Sequence, residues 1–565
     1  MTKAWLPKSI ECIRGYRGKD FLHDLLAGVT VGLVALPLAM AFAISSGMPP
    51  ESGIYCAIVA GFLISALGGS RTQIGGPTGA FVVVVAGIVA HHGVEGLFVC
   101  TLLAGAFLVV LGATGMGTAV RYIPRPVVVG FTNGIAVLIA STQLKDFLGL
   151  RIEHPAGAFI PRMIQVAESL PTISLSATTV AGASLGVMLL CYVSARRIPG
   201  AIAVIFLATA ATAIFPIPVE TIGSRFGGIP SGLPRFALPP FRPELVPTLL
   251  APAITVALLG AIESLMSAMV SDRMTNDRHN PNVELVAQGI ANMASPLVGG
   301  LPATGAIART ATSIRAGAKS PVAGMIHALT LLAILIFAAP LARFVPLPAL
   351  AAILIVVAYN MGDWGEIPEL LRLGKSDIAV WLITFALTVF ADLTLAVEVG
   401  MILAALLFIR KVAATTTVSE ITEEDVEDGR VHILQDKKIP DYVTLVRIHG
   451  PFLFGSTDKL AGAVDRVDDL TPVLVLRLRD MTAIDATGLT AIEELADRLH
   501  EKGRTLILCG ARSQPAQLMR QAEFDRHIGQ ENICANVEEA LARAKAVHSR
   551  AADGVRTSEE PRGSL

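Results

Sequence analysis

The residues best suited to chemistry in this chain are small and polar, and they sit inside apolar sequence. Gly75-Gly76-Pro77-Thr78-Gly79-Ala80 returns about 226 residues later as Gly299-Gly300-Leu301-Pro302-Ala303-Thr304-Gly305-Ala306. Proline is tolerated in a first helical turn, and small residues let a ligand reach bare backbone N–H groups. Two such starts in corresponding positions of two apolar halves predict broken helices near the bilayer midplane, with a binding site between them. Helix starts carry unpaired N–H groups and the positive dipole end, so the expected ligand is an anion. Thr78 and Thr304 add hydroxyl donors. One isolated copy would serve close helix packing equally well; the symmetric pair favours the site.

Two charges lie in the same setting. Arg309, one turn into the second predicted half-helix, is a cation that needs a negative partner at that depth. Its guanidinium suits carboxylate or sulfate, although the interface or a helix-end carbonyl would also satisfy it. Glu263 interrupts the apolar run Ala253–Met269. An acid there can exchange a proton during transport. It can also hold a cation such as sodium, with Ser267 one helical turn on as a second oxygen ligand, or pair with Arg309 for stability alone. Glu284, Gln288 and Asn292, at i, i+4 and i+8, read as one stripe of interhelical hydrogen bonds. His327 and Asn133 read as packing residues.

These groups need a membrane to position them. The chain has 565 residues, 53% apolar and 16% charged, with mean hydropathy +0.62, against roughly 25% charged in a soluble domain. Apolar windows recur from Leu25 to Arg410. Fourteen spans are predicted, at 24–47, 53–69, 77–91, 95–114, 118–141, 172–194, 199–215, 248–271, 283–295, 303–315, 321–340, 347–360, 376–390 and 393–412. Spans three and ten are too short to cross alone. Thr30–Pro37 runs parallel to Thr255–Ile262 at an offset of about 225. Each half has seven spans, an odd number, so the two halves enter from opposite sides as an inverted repeat, 24–215 and 248–412.

With those spans, eighteen Lys and Arg residues fall on one side and seven on the other. The richer side is cytoplasmic, which puts both termini there. No secretory signal precedes the first span. The net charge of −1 gives no reason to expect nucleic acid. The six cysteines are scattered without metal spacing, and no G-x-x-x-x-G-K-[ST] loop appears. Neither a cofactor nor a metal is expected beyond a possible sodium ion, and a gradient must drive the protein.

After Lys411 the character changes. A cytoplasmic segment 1–23, a transport domain 24–412, a linker 413–439, a soluble domain 440–548 and a disordered tail 549–565 are predicted. Thr444–Ile448, Val473–Leu478 and Leu506–Leu508 read as strands alternating with helices, an open sheet covered on one face. Asp485 can cap the helix that follows, leaving Thr487 exposed in its first turn. A phosphate there would be favoured by the helix end, and a plain N-cap is the simpler reading.

Asp24-Leu25-Leu26-Ala27-Gly28 through Ala35-Leu36-Pro37, the stretch Ser70-Arg71 to Ala80, and Glu284–Asn292 resemble the sulfate permease (SulP) family of anion transporters over nearly the whole chain. The tail, with Ile484-Asp485-Ala486-Thr487-Gly488, resembles the STAS domain. The resemblance implies a core and a gate domain built from the inverted repeat, elevator-like movement of the core, and homodimers in a bacterial inner membrane. It implies substrate contacts at Thr78, Gly79, Ala80, Phe81, Thr304, Gly305, Ala306 and Ile307. Glu263 takes the acidic position of the eighth helix, with Ser267 as the hydroxyl one turn on.

Within the family, Leu259–Leu265, Ala306–Arg309, Arg315–Ala318 and Lys145–Leu150 resemble members that carry C4-dicarboxylates (succinate, fumarate, aspartate) with protons. Sulfate or bicarbonate carriage with protons or sodium is the alternative. A membrane anion sensor signalling to a cytoplasmic protein through its STAS domain is the rival of another class. Ala486 and Thr487 stand where phosphorylated STAS relatives carry serines, which weakens the case for kinase control.

Overall fold

The computed structural model describes residues 5–13, 15–118, 124–153, 156–193, 199–215, 217–234, 236–237, 243–372, 374–391, 393–420, 439–464 and 471–558. Lys3, Arg14, Arg121, Arg196, Arg197, Arg235 and Arg242 from the charge count lie outside these residues. So do most of the expected linker, 421–438, and 559–565. The chain forms two compact units, Met1–Ala404 and Ala405–Leu565.

The first unit is helical. Its elements are α1 (Lys8–Ile13), α2 (Gly18–Ser45), α3 (Pro50–Leu67), β1 (Gly75–Gly76), α4 (Gly79–Ala113), α5 (Arg125–Leu148), α6 (Phe159–Ser169), α7 (Leu175–Val193), α8 (Gly200–Ile214), α9 (Ile222–Phe226), α10 (Val246–Thr275), α11 (Pro281–Ala294), β2 (Thr304–Gly305), α12 (Ile307–Arg315), α13 (Val322–Phe337), α14 (Leu347–Met361), α15 (Ile367–Leu371), α16 (Lys375–Phe390) and α17 (Leu393–Thr415). Fourteen helical segments match the predicted spans once α4 is divided at Gly93, where φ is 69° and the helix kinks. The part of α4 before Gly93 is too short to cross a membrane at 1.5 Å per residue, and α12, with 9 residues, is shorter still.

The packing has a twofold pattern. α2 packs on α13 as α10 packs on α4, and α3 on α13 as α11 on α4. These elements form one body. A second group mirrors itself in the same way, α5 on α16 and α7 on α14, with α5 against α14 between them. Glycine sets the closest of these approaches. A Cβ on Gly105 of α4 would fall 2.7 Å from the Gly289 carbonyl of α11, and one on Gly289 would fall 2.6 Å from that of Gly105. Without a hydrophobic drive between helices in lipid, such close backbone contact supplies the association.

Two predicted boundaries move. The fifth span runs from Arg125 to Leu148 rather than 118–141, because Pro124 and Pro126 start the helix and Gly149, with φ of 63°, ends it. The amphipathic α6 was not predicted; its polar residues alternate at helical spacing with Ile160 and Ile164, which stay exposed.

The second unit opens with the last turns of α17 and continues as β3 (Thr417–Glu420), β4 (Val443–Phe452), α18 (Asp458–Val464), β5 (Val473–Arg477), β6 (Met481–Ile484), α19 (Ala486–Glu501), β7 (Thr505–Cys509), α20 (Ser513–Gln521), α21 (Phe524–Ile528), β8 (Ile533–Cys534) and α22 (Val537–Ser558). The sheet order is β3-β4-β5-β7-β8, with β6 also pairing to β4. Among the described residues of this sheet, β3 pairs antiparallel with β4 and the other pairings are parallel.

Three expectations are corrected here. Helices cover both faces: Val446, Ile448, Leu474, Leu476, Leu506 and Leu508 pack under α19 to α21, and the alternate residues Val443, Leu445, Val473, Val475 and Ile507 pack under α22. A parallel sheet is buried on both sides because crossover helices must cover it. The expected linker at 413–439 begins instead with the end of α17 and the edge strand β3, whose Thr-Val-Ser-Glu suits a half-exposed strand. Finally, α22 runs through the start of the expected disordered tail to Ser558, carried by its alanines and by acids in its first turn.

Candidate anion site

The two signatures meet. β1 and β2 pair antiparallel, Gly75 opposite Gly305 and Gly76 opposite Thr304. The chain leaves this bridge in opposite directions to begin α4 at Gly79 and α12 at Ile307. Neither Thr78 nor Ala306, the residues preceding the helices, caps its helix with a side chain. Both starts therefore keep N–H groups available to an anion. Extended backbone at this depth must be enclosed by protein, and Gly75, Gly76 and Leu301 to Ala306 are all buried.

Side chains of α10 hold the bridge. The Thr78 hydroxyl donates to Glu263 Oε2 at 2.8 Å, which is why it does not cap its own helix. Ser264, fully buried, bonds the Thr304 hydroxyl at 2.8 Å and accepts the Gly305 N–H at 3.1 Å. Ser267 bonds Thr310 of α12 at 3.0 Å, and the Thr310 hydroxyl also accepts the Ile74 N–H at 3.0 Å. Gln73 donates to the Ser264 carbonyl at 3.0 Å, and the Ala306 N–H to the Ile74 carbonyl at 2.8 Å.

Arg309 is 3% exposed and reaches from the first turn of α12 across the bridge, where Nη2 donates to the Pro77 carbonyl. Its Nη1 has no hydrogen-bond partner among the described residues. Glu263 meets Thr78 rather than forming an ion pair with Arg309. Gly76 has φ of +143°, and a Cβ there would fall 2.8 Å from Arg309 Nη1, so glycine alone fits both backbone and guanidinium. Of the remaining expected residues, Gly79, Ala80 and Phe81 are buried in the first turn of α4, the Phe81 ring facing Gly260. Ile307 is 37% exposed at the start of α12.

Sequence reasoning missed the role of α11. Glu284 is fully buried, and its Oε2 accepts the N–H groups of Gly69 and Ser70 on the approach to β1. Asn292 binds the other approach, donating to the Ala303 carbonyl and accepting the Ala303 N–H, both at 2.8 Å. Gln288 links them by donating to Glu284 Oε1 at 2.9 Å and accepting Asn292 Nδ2 at its carbonyl. The stripe is thus the backbone support of both extended segments. Its i, i+4, i+8 spacing was the visible signal.

In the second unit Asp485 caps α19, accepting the Gly488 N–H at 2.9 Å and also the Phe454 N–H at 3.0 Å. Thr487 is exposed and lines a cleft of about 310 Å³ with Thr457, Asp458, Thr490, Glu494 and Arg498.

Comparison with known proteins gives a consistent result. The model of the Sulfate permease family matches residues 21–384, and that of the STAS domain matches 435–540. The chain is 40% identical over 522 residues to "Putative sulfate transporter YvdB" of Bacillus subtilis, covering 92% of this chain and 97% of the relative. It is 28% identical over 553 residues to the bicarbonate transporter BicA of Picosynechococcus, covering 95% and 97%. The solved transmembrane domain of a cyanobacterial BicA aligns with a TM-score of 0.60 at 31% identity, covering 69% of this chain and all but 2% of that one. The murine Solute Carrier 26 family member A9 anion transporter, in its inward-facing state, aligns with a TM-score of 0.85 over 96% of this chain and 94% of its own, at 18% identity, and speaks to fold alone.

Proposed function

Because the chain belongs to the sulfate permease family and is an anion transporter, we propose that it moves a small oxyanion, sulfate or bicarbonate first, together with a proton. The observation that carries this reading is the β1–β2 bridge, flanked by two uncapped helix starts, with Arg309 laid across it and Glu263 bonded to Thr78. The names of the relatives support sulfate and bicarbonate. The C4-dicarboxylate reading rests on the resemblance of short segments, and none of these relatives is named for such a substrate.

Coupling follows from charge. An ionised Glu263 beside Thr78 opposes an anion at the start of α4, and a proton on Glu263 removes that opposition, so anion and proton are best bound together. Ser267 is engaged with Thr310, which favours the proton over a sodium ion held by Glu263 and Ser267. The body formed by α2–α4 and α10–α13 would carry the site past α5–α8 and α14–α17 in an elevator-like movement. The protein would act as a homodimer in a bacterial inner membrane, with both termini cytoplasmic.

Proteoliposomes containing the full chain, given labelled sulfate, bicarbonate or succinate under imposed pH or sodium gradients, test this. Sulfate or bicarbonate uptake driven by an inward proton gradient is expected. Uptake of succinate alone would restore the dicarboxylate reading, and sodium-driven uptake would replace the proton. Glu263→Gln should abolish the dependence on the pH gradient while anion binding persists; an unchanged dependence would move coupling to another residue.

A further inference from the structure

Behind the bridge a file of buried polar atoms leads away from Arg309 to groups that the proposed transport scheme does not use. It runs between β1 and one face of α3, where Ala57, Gly61 and Ser65 recur every fourth residue. At one end Arg309 Nη1 lies beside Gly76, whose added Cβ would also come within 3.4 Å of Ala57 Cα. Next, a Cβ on Gly61 would lie 3.0 Å from the Gly75 carbonyl oxygen and 3.7 Å from His327 Cε1. At the far end, a Cβ on Gly324 would collide with Ser65 Oγ at 2.1 Å and lie 3.4 Å from the Gln73 carbonyl. Arg309 and His327 thus flank consecutive residues of the strand that carries the site.

The hydrogen-bond account along this file does not close within the protein. Arg309 Nη1, both ring nitrogens of His327 and Ser65 Oγ have no partner among the described residues. Arg309 is 3% exposed and His327 0%. The Gly324 carbonyl, one turn earlier on α13, approaches the imidazole without completing a bond of normal geometry. A buried donor or acceptor left unpaired is costly, so four such atoms along one file require a ligand. Their chemistry specifies it: guanidinium only donates, the Gln73 backbone carbonyl at the far end only accepts, and a neutral imidazole and a hydroxyl do both. Water satisfies such a sequence, being small and able to accept at one end and donate at the other.

We propose that this file holds ordered water and that, through it, His327 is a positioning residue that fixes the free guanidinium nitrogen of Arg309 at the anion site. The inference rests on the anion-site reading of Arg309. Water accepts from Nη1 and donates to the unprotonated ring nitrogen, while the ring N–H is passed on toward Ser65 and the Gln73 backbone carbonyl. Removing the imidazole leaves Nη1 free to swing away from the bridge, weakening anion capture without altering the groups that move the proton.

Two measurements test it on the full chain. In a high-resolution structure, at least one water is expected within hydrogen-bond distance of a His327 ring nitrogen; a dry file overturns the proposal. In the uptake assay with labelled sulfate, bicarbonate and succinate, His327→Leu should raise KM about tenfold with Vmax little changed, and His327→Gln, which keeps a donor and an acceptor, should restore much of the loss. Equal behaviour of the two variants, or an unchanged KM in His327→Leu, also overturns it. Arg309→Gln separates the two readings: if its KM is unchanged, Arg309 is not at the anion site and both fail. If Arg309→Gln raises KM and His327→Leu does not, only the water file fails. Uptake of none of the three anions rejects both.

Discussion

Gly76 concentrates the demands of the site in one position. Its φ of +143° and the 2.8 Å approach of Arg309 Nη1 leave no room for a side chain. Gly76→Ala should therefore cost about 1–3 kcal/mol of backbone strain and also displace the guanidinium, so uptake should fall more than thermal stability does. Gly87→Ala, with nothing within 4 Å of its added Cβ, should leave both unchanged and serves as the control. Chemistry at a distance from the site is equally specific. Burial pushes the Cys509 thiol up to about 12, against the opposing pull of Arg477 and with help from Cys534. At about pH 8 the thiolate fraction is then roughly one in ten thousand. An alkylating reagent should label Cys509 only after the domain unfolds, and rapid labelling of the native protein would show that the sheet opens. Most side chains of the site were legible one at a time, because a charge or hydroxyl in an apolar run is conspicuous. Their partners were not: Ser267 one turn from Glu263 looks like a second ligand of the same ion, yet it bonds Thr310.

The elements that matter most are the least regular. α11 spends its polar face on the backbone of the two approaches to the bridge, and Asn292 alone satisfies both the N–H and the carbonyl of Ala303. Asn292→Leu should orphan that pair at about 1–3 kcal/mol for each group, lowering the melting temperature and degrading anion affinity as β2 loosens. Retained affinity with a normal melting curve would show that water substitutes for the amide. Periodicity found the stripe but assigned it to helix contacts, since a sequence pattern gives the face of a helix and not what that face meets. At α4, by contrast, the predicted break between spans three and four falls at Gly93, whose φ of 69° separates two helices.

On the scale of the molecule, each unit has its own hydrophobic core, Ala35 through Val397 in the first and the two sheet faces in the second. Within the second unit, Lys459 Nζ donates to the carbonyls of Ala413 at 2.8 Å and Thr416 at 2.6 Å, at the C-terminal end of α17. Deleting residues after Thr415 should then leave a folded membrane part that still carries anion in liposomes, less stable at its C-terminal helix for want of Lys459. Complete loss of uptake by a folded truncation would favour the sensor reading, in which the STAS domain is integral to function.

The sequence by itself determined that the chain lives in lipid, that it repeats, and where its helices break, because apolar length, proline and glycine act locally. It also determined which charges have to be accounted for. Tertiary structure decided what those charges meet: the pairing of Gly76 with Thr304, the reach of Arg309 to Pro77, and the support of both extended segments by one helix. Such contacts join residues as much as two hundred or more positions apart, and no local propensity encodes them. They exist because close helix packing brings the backbone groups of the extended segments to partners in the low-dielectric interior.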